Sequence, residues 1–280
     1  MKRRKFLKQS ILAALGIASI SGLYAWQIEP FWLEFVEEKM PIPNLPKNLQ
    51  GKTLMQISDV HIGNRFDYNY IIESFKQAKR FDPDIVVYTG DYVSYESKEQ
   101  FEQLEVVLPH FPKGKMGTYG VLGNHDYGEN WAEPEVANRI TQILNQGGVK
   151  ILRNSSATIQ GLNILGIDDY WAINFAPEKV MNDFNPDGAN LVLCHNPDVC
   201  DLDVWNGYNS WILSGHTHGG QCKPPFLNAP ILPVKNKSYD QGLKALSNGR
   251  TLYINRAIGH LWQVRFNVRP EITVFKLEVA

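Results

Sequence analysis

Five polar clusters punctuate this sequence, each directly after a short apolar run. Thr53–Ser58 leads into Asp59-Val60-His61, and Asp84–Thr89 leads into Gly90-Asp91. Thr118–Leu122 leads into Gly123-Asn124-His125-Asp126, and Asn190–Cys194 leads into His195-Asn196-Pro197. Trp211-Ile212-Leu213-Ser214 leads into Gly215-His216-Thr217-His218-Gly219-Gly220. Imidazole, carboxylate and amide side chains suit Mn²⁺, Fe²⁺/³⁺, Zn²⁺ and similar ions, whereas Ca²⁺ prefers all-oxygen sites. A carboxylate at a strand end can bridge two ions about 3.5–4 Å apart, and such a pair acidifies a shared water and neutralises phosphoryl oxygens. Asp59-x-His61, Gly90-Asp91 and a lone His195 are each weak signals, since Asp and Gly serve turns. The Asn-His-Asp run and the paired histidines between glycines are stronger, because glycine permits close backbone approach.

The elements that must position these clusters are readable too. Besides those runs, Asn163–Ile167, Thr251–Asn255 and Glu271–Leu277 have strand length and β-branched or aromatic enrichment. Tyr68–Phe81, Lys98–Pro109 and Glu133–Gln146 have helical character, the last stopped by Gly147-Gly148. The order β-α-β-α-β followed mainly by strands predicts an α/β fold, parallel at first and mixed later. Two sheets with helices outside accommodate it, and so does one large sheet. In α/β proteins ligands gather beyond the carboxyl ends of strands, so adjacent strands would bring all five clusters to one rim.

With 280 residues and 44% hydrophobic content, the chain can bury a large core. Net charge is −1, and no Lys/Arg block follows the first eight residues, so there is no nucleic-acid footprint. Three cysteines, Cys194, Cys200 and Cys222, are too few and too odd for a disulfide framework.

The five motifs, in this order and without substitution, resemble the calcineurin-like metallophosphoesterase family over roughly residues 54–220. The resemblance implies two mixed β-sheets packed as a sandwich and flanked by helices, and two divalent metal ions (Mn, Fe or Zn). It implies that Asp59, His61 and His218 hold the first ion, that Asn124, His195 and His216 hold the second, and that Asp91 bridges them. It implies that His125 binds no metal and faces the scissile phosphate as the catalytic residue. Asp126 then either orients His125 from behind or caps its own loop. Gly219-Gly220-Gln221, Asn255-Arg256…Gly259 and Arg269-Pro270-Glu271 resemble the exported or membrane-associated bacterial phosphodiesterase branch of that family.

The N-terminus reads as a targeting segment. Lys2-Arg3-Arg4-Lys5-Phe6-Leu7-Lys8 is a basic head before the uncharged stretch Ile11–Trp26. The Arg pair resembles a twin-arginine (Tat) signal, which implies the Tat export machinery as a partner. Residues 1–28 are therefore expected to be a signal or membrane anchor, with the body on the outer side of the cytoplasmic membrane, in the periplasm or at the cell surface. Residues 29–48 are expected to form an amphipathic segment, helical up to Met40, and a proline-rich linker. Residues 49–280 are expected to form the metallophosphoesterase domain.

The substrate is less legible. Aromatics near the motifs (Phe66, Tyr68, Tyr127, Trp131, Tyr170, Trp171 and Phe226) either form a rim for an amphiphilic or nucleotide-like phosphoester or pack under loops. The apolar, proline-rich stretch Lys223–Val234 would suit a membrane interface and a lipid phosphodiester. Arg65, Arg256, Arg265 and Arg269 are candidate phosphate contacts. The leading reading is a phosphodiesterase. The alternatives are a UDP-2,3-diacylglucosamine pyrophosphatase-like hydrolase of lipid A synthesis and a non-catalytic metal-binding interaction module.

Overall fold

The computed structural model describes residues 3–182 and 184–280; Lys2, at the head of the basic segment, lies outside them. Twelve strands form two six-stranded sheets among the described residues. The first sheet contains β1 (Glu34–Ile42), β2 (Thr53–Ile57), β3 (Ile85–Thr89), β4 (Gly117–Val121), β5 (Lys150–Ile151) and β12 (Glu271–Val279), in the order β1-β12-β2-β3-β4-β5. The second contains β6 (Ser155–Ile159), β7 (Leu162–Gly166), β8 (Ala189–Leu193), β9 (Trp211–Ser214), β10 (Gly242–Ala245) and β11 (Thr251–Ile254), in the order β10-β11-β9-β8-β7-β6. Strands β2 to β5 run parallel, as do β7, β8, β9 and β11, while β12, β10 and β6 introduce the antiparallel pairings. Both sheets are mixed, as expected.

The central strands are buried on both faces, which explains their continuous apolar runs. Along β3, Ile85 and Val87 point between the sheets, while Val86 and Tyr88 point outward. The inter-sheet core joins these to Leu191 and Leu193 of β8 and Leu213 of β9. The outer face of the first sheet is covered by α2 (Asn69–Lys79), α3 (Glu99–Val107) and α4 (Pro134–Gln146). In α4 the apolar residues Val136, Ala137, Ile140, Ile143 and Leu144 fall on one stripe and are buried. Pro134 opens that helix, and Gly148, at φ +84°, closes it in a left-handed turn. The outer face of the second sheet packs on a short helix, α5 (Glu178–Met181), and on Trp205 and Tyr208.

One expectation fails. The segment read as helix and linker is instead a short 3₁₀ turn, Glu29–Phe31, followed by β1. Strand β1 runs parallel to β12 over nine residue pairs, Glu34↔Glu271 to Ile42↔Val279. Its mixture of acids and apolars fits either period. What decides is the open edge of β12 and the ion pairs of Arg256 with Glu34 and Glu271, which fix the register. As an edge strand β1 tolerates Pro41, and it sends Met40 and Ile42 into the inter-sheet core with no exposure.

Ahead of it, α1 (Arg3–Gln27) buries none of its residues. It carries no charge beyond Lys8, and around the stretch Ile11–Trp26 the helix adds only the polar, uncharged Gln9, Ser10 and Gln27. At a 1.5 Å rise its 25 residues reach roughly 37 Å, enough to cross a bilayer.

A chain starting at Leu49 therefore lacks a structural strand. Losing the burial of Met40 and Ile42 should lower its Tm by roughly 10 °C or more relative to a chain starting at Ile28. Circular-dichroism melts that coincide would show that β1 contributes nothing.

Candidate metal centre

All five polar clusters lie at the carboxyl ends of parallel strands. Asp59 and His61 follow β2, Asp91 follows β3, and Asn124 and His125 follow β4. His195 follows β8, and His216 and His218 follow β9. Three strands of one sheet and two of the other thus deliver side chains to a single rim. Beneath it the Gln56 amide spans the sheets, donating to the Thr89 hydroxyl at 3.1 Å and the Ser214 carbonyl at 2.9 Å. Two groups of candidate ligands result: Asp59, His61 and His218, and Asp91, His195 and His216.

The second group shows a donor deficit. His195 Nδ1–H donates to the Thr89 carbonyl at 2.7 Å, and His216 Nε2–H donates to the Pro233 carbonyl at 2.9 Å. A carbonyl only accepts, so these bonds fix both tautomers. The remaining lone pairs, on His195 Nε2 and His216 Nδ1, then face each other at 3.2 Å. His195 Nε2 also lies 3.1 Å from Asp91 Oδ2. Three acceptors converge, and a positive charge between them, a metal ion or a proton, removes the repulsion. Asn124 adds to this, because its buried Oδ1 has no hydrogen-bond partner. In the first group His218 Nε2 lies 3.2 Å from Asp59 Oδ1 and 3.0 Å from His61 Nε2, while His61 Nε2 lies 3.6 Å from Asp91 Oδ2. Asp91 therefore touches both groups. The donor set fits two divalent ions.

The electrostatics agree. Burial opposes charge on Asp59, but His218 and His195 hold its carboxyl well below the usual range. Burial likewise opposes charge on Asp91, and His195 and His125 hold it down. Burial drives His61 well below its ordinary value and, with His195 beside it, drives His216 to about 3. His195 is the exception: burial disfavours its charge, yet Asp91 and Asp59 raise it well above normal. Without a metal, a proton occupies the position between His195 and Asp91.

The backbone is strained where the ligands sit. Asp59, His61, Asp91, His216 and His218 all have φ between +51° and +70°, a region costly for residues with a Cβ. Hydrogen bonds hold them there: His61 N–H donates to the Asp91 carbonyl, and Ser58 Oγ and His216 N–H donate to the Asp59 carboxylate. Two glycines are sterically required. A Cβ at Gly215 would meet Asp59 Oδ2 at 2.2 Å, and one at Gly123 would meet Asp91 Oδ1 at 2.2 Å.

His125 is part-buried beside the first group, its ring 5.2 Å from that of His61. Its backbone N–H donates to Asp91 Oδ1. Burial lowers its pKa, and the nearby His195 and Arg65 charges add to this against the pull of Asp91. Asp126 does not orient His125. Its carboxylate accepts from the backbone N–H groups of Tyr92 (2.9 Å), Val93 (3.2 Å) and Gly123 (2.9 Å). It clamps the Asp91 loop to the Asn124 loop, so of the two expected roles the loop cap is realised. Complete burial and the Asp91 charge push its pKa up, against those three donors.

Most of the candidate phosphate arginines are engaged elsewhere. Arg256 pairs with Glu34 and Glu271, fully buried Arg265 donates to four backbone carbonyls, and Arg269 stacks on Trp32. Arg65, paired with exposed Glu96, is the one whose charge reaches His125. Of the aromatics, Phe66 and Tyr127 are buried, whereas Trp131 stacks on Trp171, whose ring meets His216 edge-on at 4.4 Å. Sequence reasoning missed Ser94, 2.9 Å from His61 Nδ1, and the tautomer-setting carbonyls of Thr89 and Pro233. Carbonyls are common to every residue and leave no signal in residue type.

The calcineurin-like phosphoesterase family profile matches residues 52–220, which span all five clusters. The chain is 29% identical to the Escherichia coli (strain K12) phosphodiesterase YaeI, covering 99% of each protein. It is 30% identical to the uncharacterized metallophosphoesterase YkuE of Bacillus subtilis, over 99% of this chain and 98% of that one. It is 27% identical to the UDP-2,3-diacylglucosamine pyrophosphatase LpxG of Chlamydia trachomatis, over 95% and 96%.

Two outcomes follow from this geometry. Asp126→Ala strands three buried N–H groups and should destabilise the fold by about 3 kcal/mol or more, read from denaturant melts. An unchanged midpoint would refute the clamp. Because His195 is raised, it keeps its proton at neutral pH in the metal-free protein, and a metal must displace it. Metal affinity should therefore rise with pH up to that raised value, with net proton release at pH 7. Calorimetry in buffers of different ionisation enthalpy reads this directly; no release would mean that His195 is not displaced.

Proposed function

The chain belongs to the calcineurin-like phosphoesterase family, and we propose that it is a metal-dependent phosphodiesterase with a dinuclear centre. The converging lone pairs of Asp91, His195 and His216 carry this reading, because they demand a cation. Asp59, His61 and His218 would hold one ion, Asn124, His195 and His216 would hold the other, and Asp91, which lies against both groups, would serve both. Two divalent ions of the Mn, Fe or Zn type, when bound, supply an acidified water and charge to neutralise phosphoryl oxygens. The chain's own residues do the rest. The strained, hydrogen-bonded loops preorganise the ligands before substrate arrives. His125 is left without a metal-facing role, and its lowered pKa keeps it neutral in the free enzyme. It enters as an N–H donor to the phosphate and protects the leaving oxygen's developing charge as water attacks phosphorus in line.

Helix α1, apolar and long enough to span a membrane, supports an anchor or export signal, with the Arg3-Arg4 head in the cytoplasm and the body on the outer side, delivered by the Tat machinery. A pyrophosphatase acting on a nucleotide-linked lipid is the second reading, favoured by the likeness to LpxG along the whole chain. An outward-facing body would deny that enzyme cytoplasmic nucleotide sugars, so topology separates the two readings. A non-catalytic module is disfavoured by the complete ligand set together with His125.

Purified full chain should cleave bis(p-nitrophenyl) phosphate faster than p-nitrophenyl phosphate with Mn²⁺, and chelation should abolish both activities. His125→Ala should keep the metals and lose turnover by about 10²–10⁴-fold. Asp91→Ala should lose metal content as well as activity. Wild-type rates in either variant would mean that the chemistry happens elsewhere.

A further inference from the structure

Beside the candidate metal centre runs an apolar groove of ≈ 340 Å³. Its inner end is formed by His216 and His218, one from each ligand group, and its walls by Ile231, Pro233, Leu261 and Trp262. The groove is built rather than incidental. Gln221 pins one wall to the segment that follows His218, donating to the Trp262 and Val264 carbonyls at 3.0 and 2.9 Å and accepting from Leu261 N–H at 3.2 Å. Gly220 makes room for the other wall, since a Cβ there would meet the Ala229 side chain at 2.3 Å. His216 itself donates to Pro233 at the groove's edge. Gly220 and Gln221, which continue the last histidine motif, thus serve this groove.

The mouth is lined by apolar side chains without partners. Ile231 and Trp262 are each 69% exposed, and Phe226 and Leu227 beside them are also exposed. A soluble surface rarely tolerates such a patch unless something covers it. Its neighbour identifies the cover. The wall segment 261–266 is the platform on which α1 stands: Arg265 N–H donates to Ala25 O at 2.9 Å, Gln263 donates to Trp26 O at 3.2 Å, and Phe266 meets Tyr24 edge-on. A helix of this length that buries none of its apolar residues in the protein is suited to burial in lipid. Exposed Trp26, Trp32 and Trp262 all lie at this junction, as side chains that favour the membrane–water interface do.

We propose that the groove is an acyl-chain subsite, and that the enzyme takes an amphiphilic phosphoester directly from the bilayer that holds α1. The chain of the lipid enters between Ile231 and Trp262, which leaves its phosphate at the imidazoles of His216 and His218. This rests on the phosphodiesterase reading above and narrows it to lipid substrates.

The test uses full-length protein in phosphatidylethanolamine/phosphatidylglycerol nanodiscs. A phosphodiester carrying one dodecyl chain with a terminal diazirine is photolysed, and the adducts are mapped by mass spectrometry. Adducts on Phe226–Ile231 and Leu261–Val264, lost in Ile231→Glu and Trp262→Glu, are expected. Labelling confined to α1, or unchanged by both substitutions, overturns the proposal. In parallel, hydrolysis of the unlabelled dodecyl p-nitrophenyl diester is compared with that of bis(p-nitrophenyl) phosphate. The two variants should lose about tenfold or more on the chain-bearing ester alone, given the apolar area withdrawn. Equal losses on both esters, or a peptide crosslinked in the groove in place of lipid, also count against the subsite. Absence of hydrolysis of either ester by wild type refutes the phosphodiesterase reading, while the labelling still judges the groove.

Discussion

The structure is organised around a shortage of hydrogens. Asp91, His195 and His216 present three lone pairs to one point, and two backbone carbonyls hold the imidazoles in the tautomers that create the shortage. A buried arrangement of this kind costs free energy until a cation occupies it. The fold accepts that cost because the tips of five strands, drawn from two sheets, leave the ligands no other direction. The Gln56 bridge between sheets and the Asp126 clamp between loops keep those tips from drifting apart. Before any metal arrives a proton on His195 fills part of that gap, and a metal takes its place in a site already built.

The same logic explains the backbone. A residue forced to positive φ is ordinarily a liability, yet five candidate ligands share that conformation. A left-handed residue directly after a strand turns the chain sharply, so that a side chain otherwise bound for the sheet face points along the strand axis toward the rim. The glycines in the motifs are the complement of these strained residues. They let Asp59 and Asp91 approach a second backbone closely, and the hydrogen bonds so gained offset the strain.

What could be read in the residues, and what could not, divides along physical lines. The eight longer apolar runs are strands, because strands buried on both sides need uninterrupted apolar sequence. The three main helices are legible because α2, α3 and α4 each show a one-sided stripe. Strand β1 was hidden: an edge strand with one wet face carries acids, and only its distant partner β12 decides its conformation. Strands β5, β6 and β10 are short or edge strands with the same weakness. Within the site, the clusters bring their side chains together from 157 residues apart, as with His61 and His218, and residue type announced them. The role of Asp126 was not announced, since a carboxylate that clamps backbone and one that orients an imidazole are the same letters. The groove was legible only as composition, and its position beside the imidazoles and under α1 needed three dimensions.

Strand β12 sits between β1 and β2 in its sheet, so the first strand of the chain pairs only with the last. A ribosome must make every residue from Glu34 to Val279 before that pairing can form, a delay on the order of 10–50 s at ordinary elongation rates. During that interval β1 has no partner and the β12-facing edge of β2 stays open. Completion of the first sheet therefore waits for β12, and helix α1 ahead of β1 remains on a loose tether until that strand has emerged.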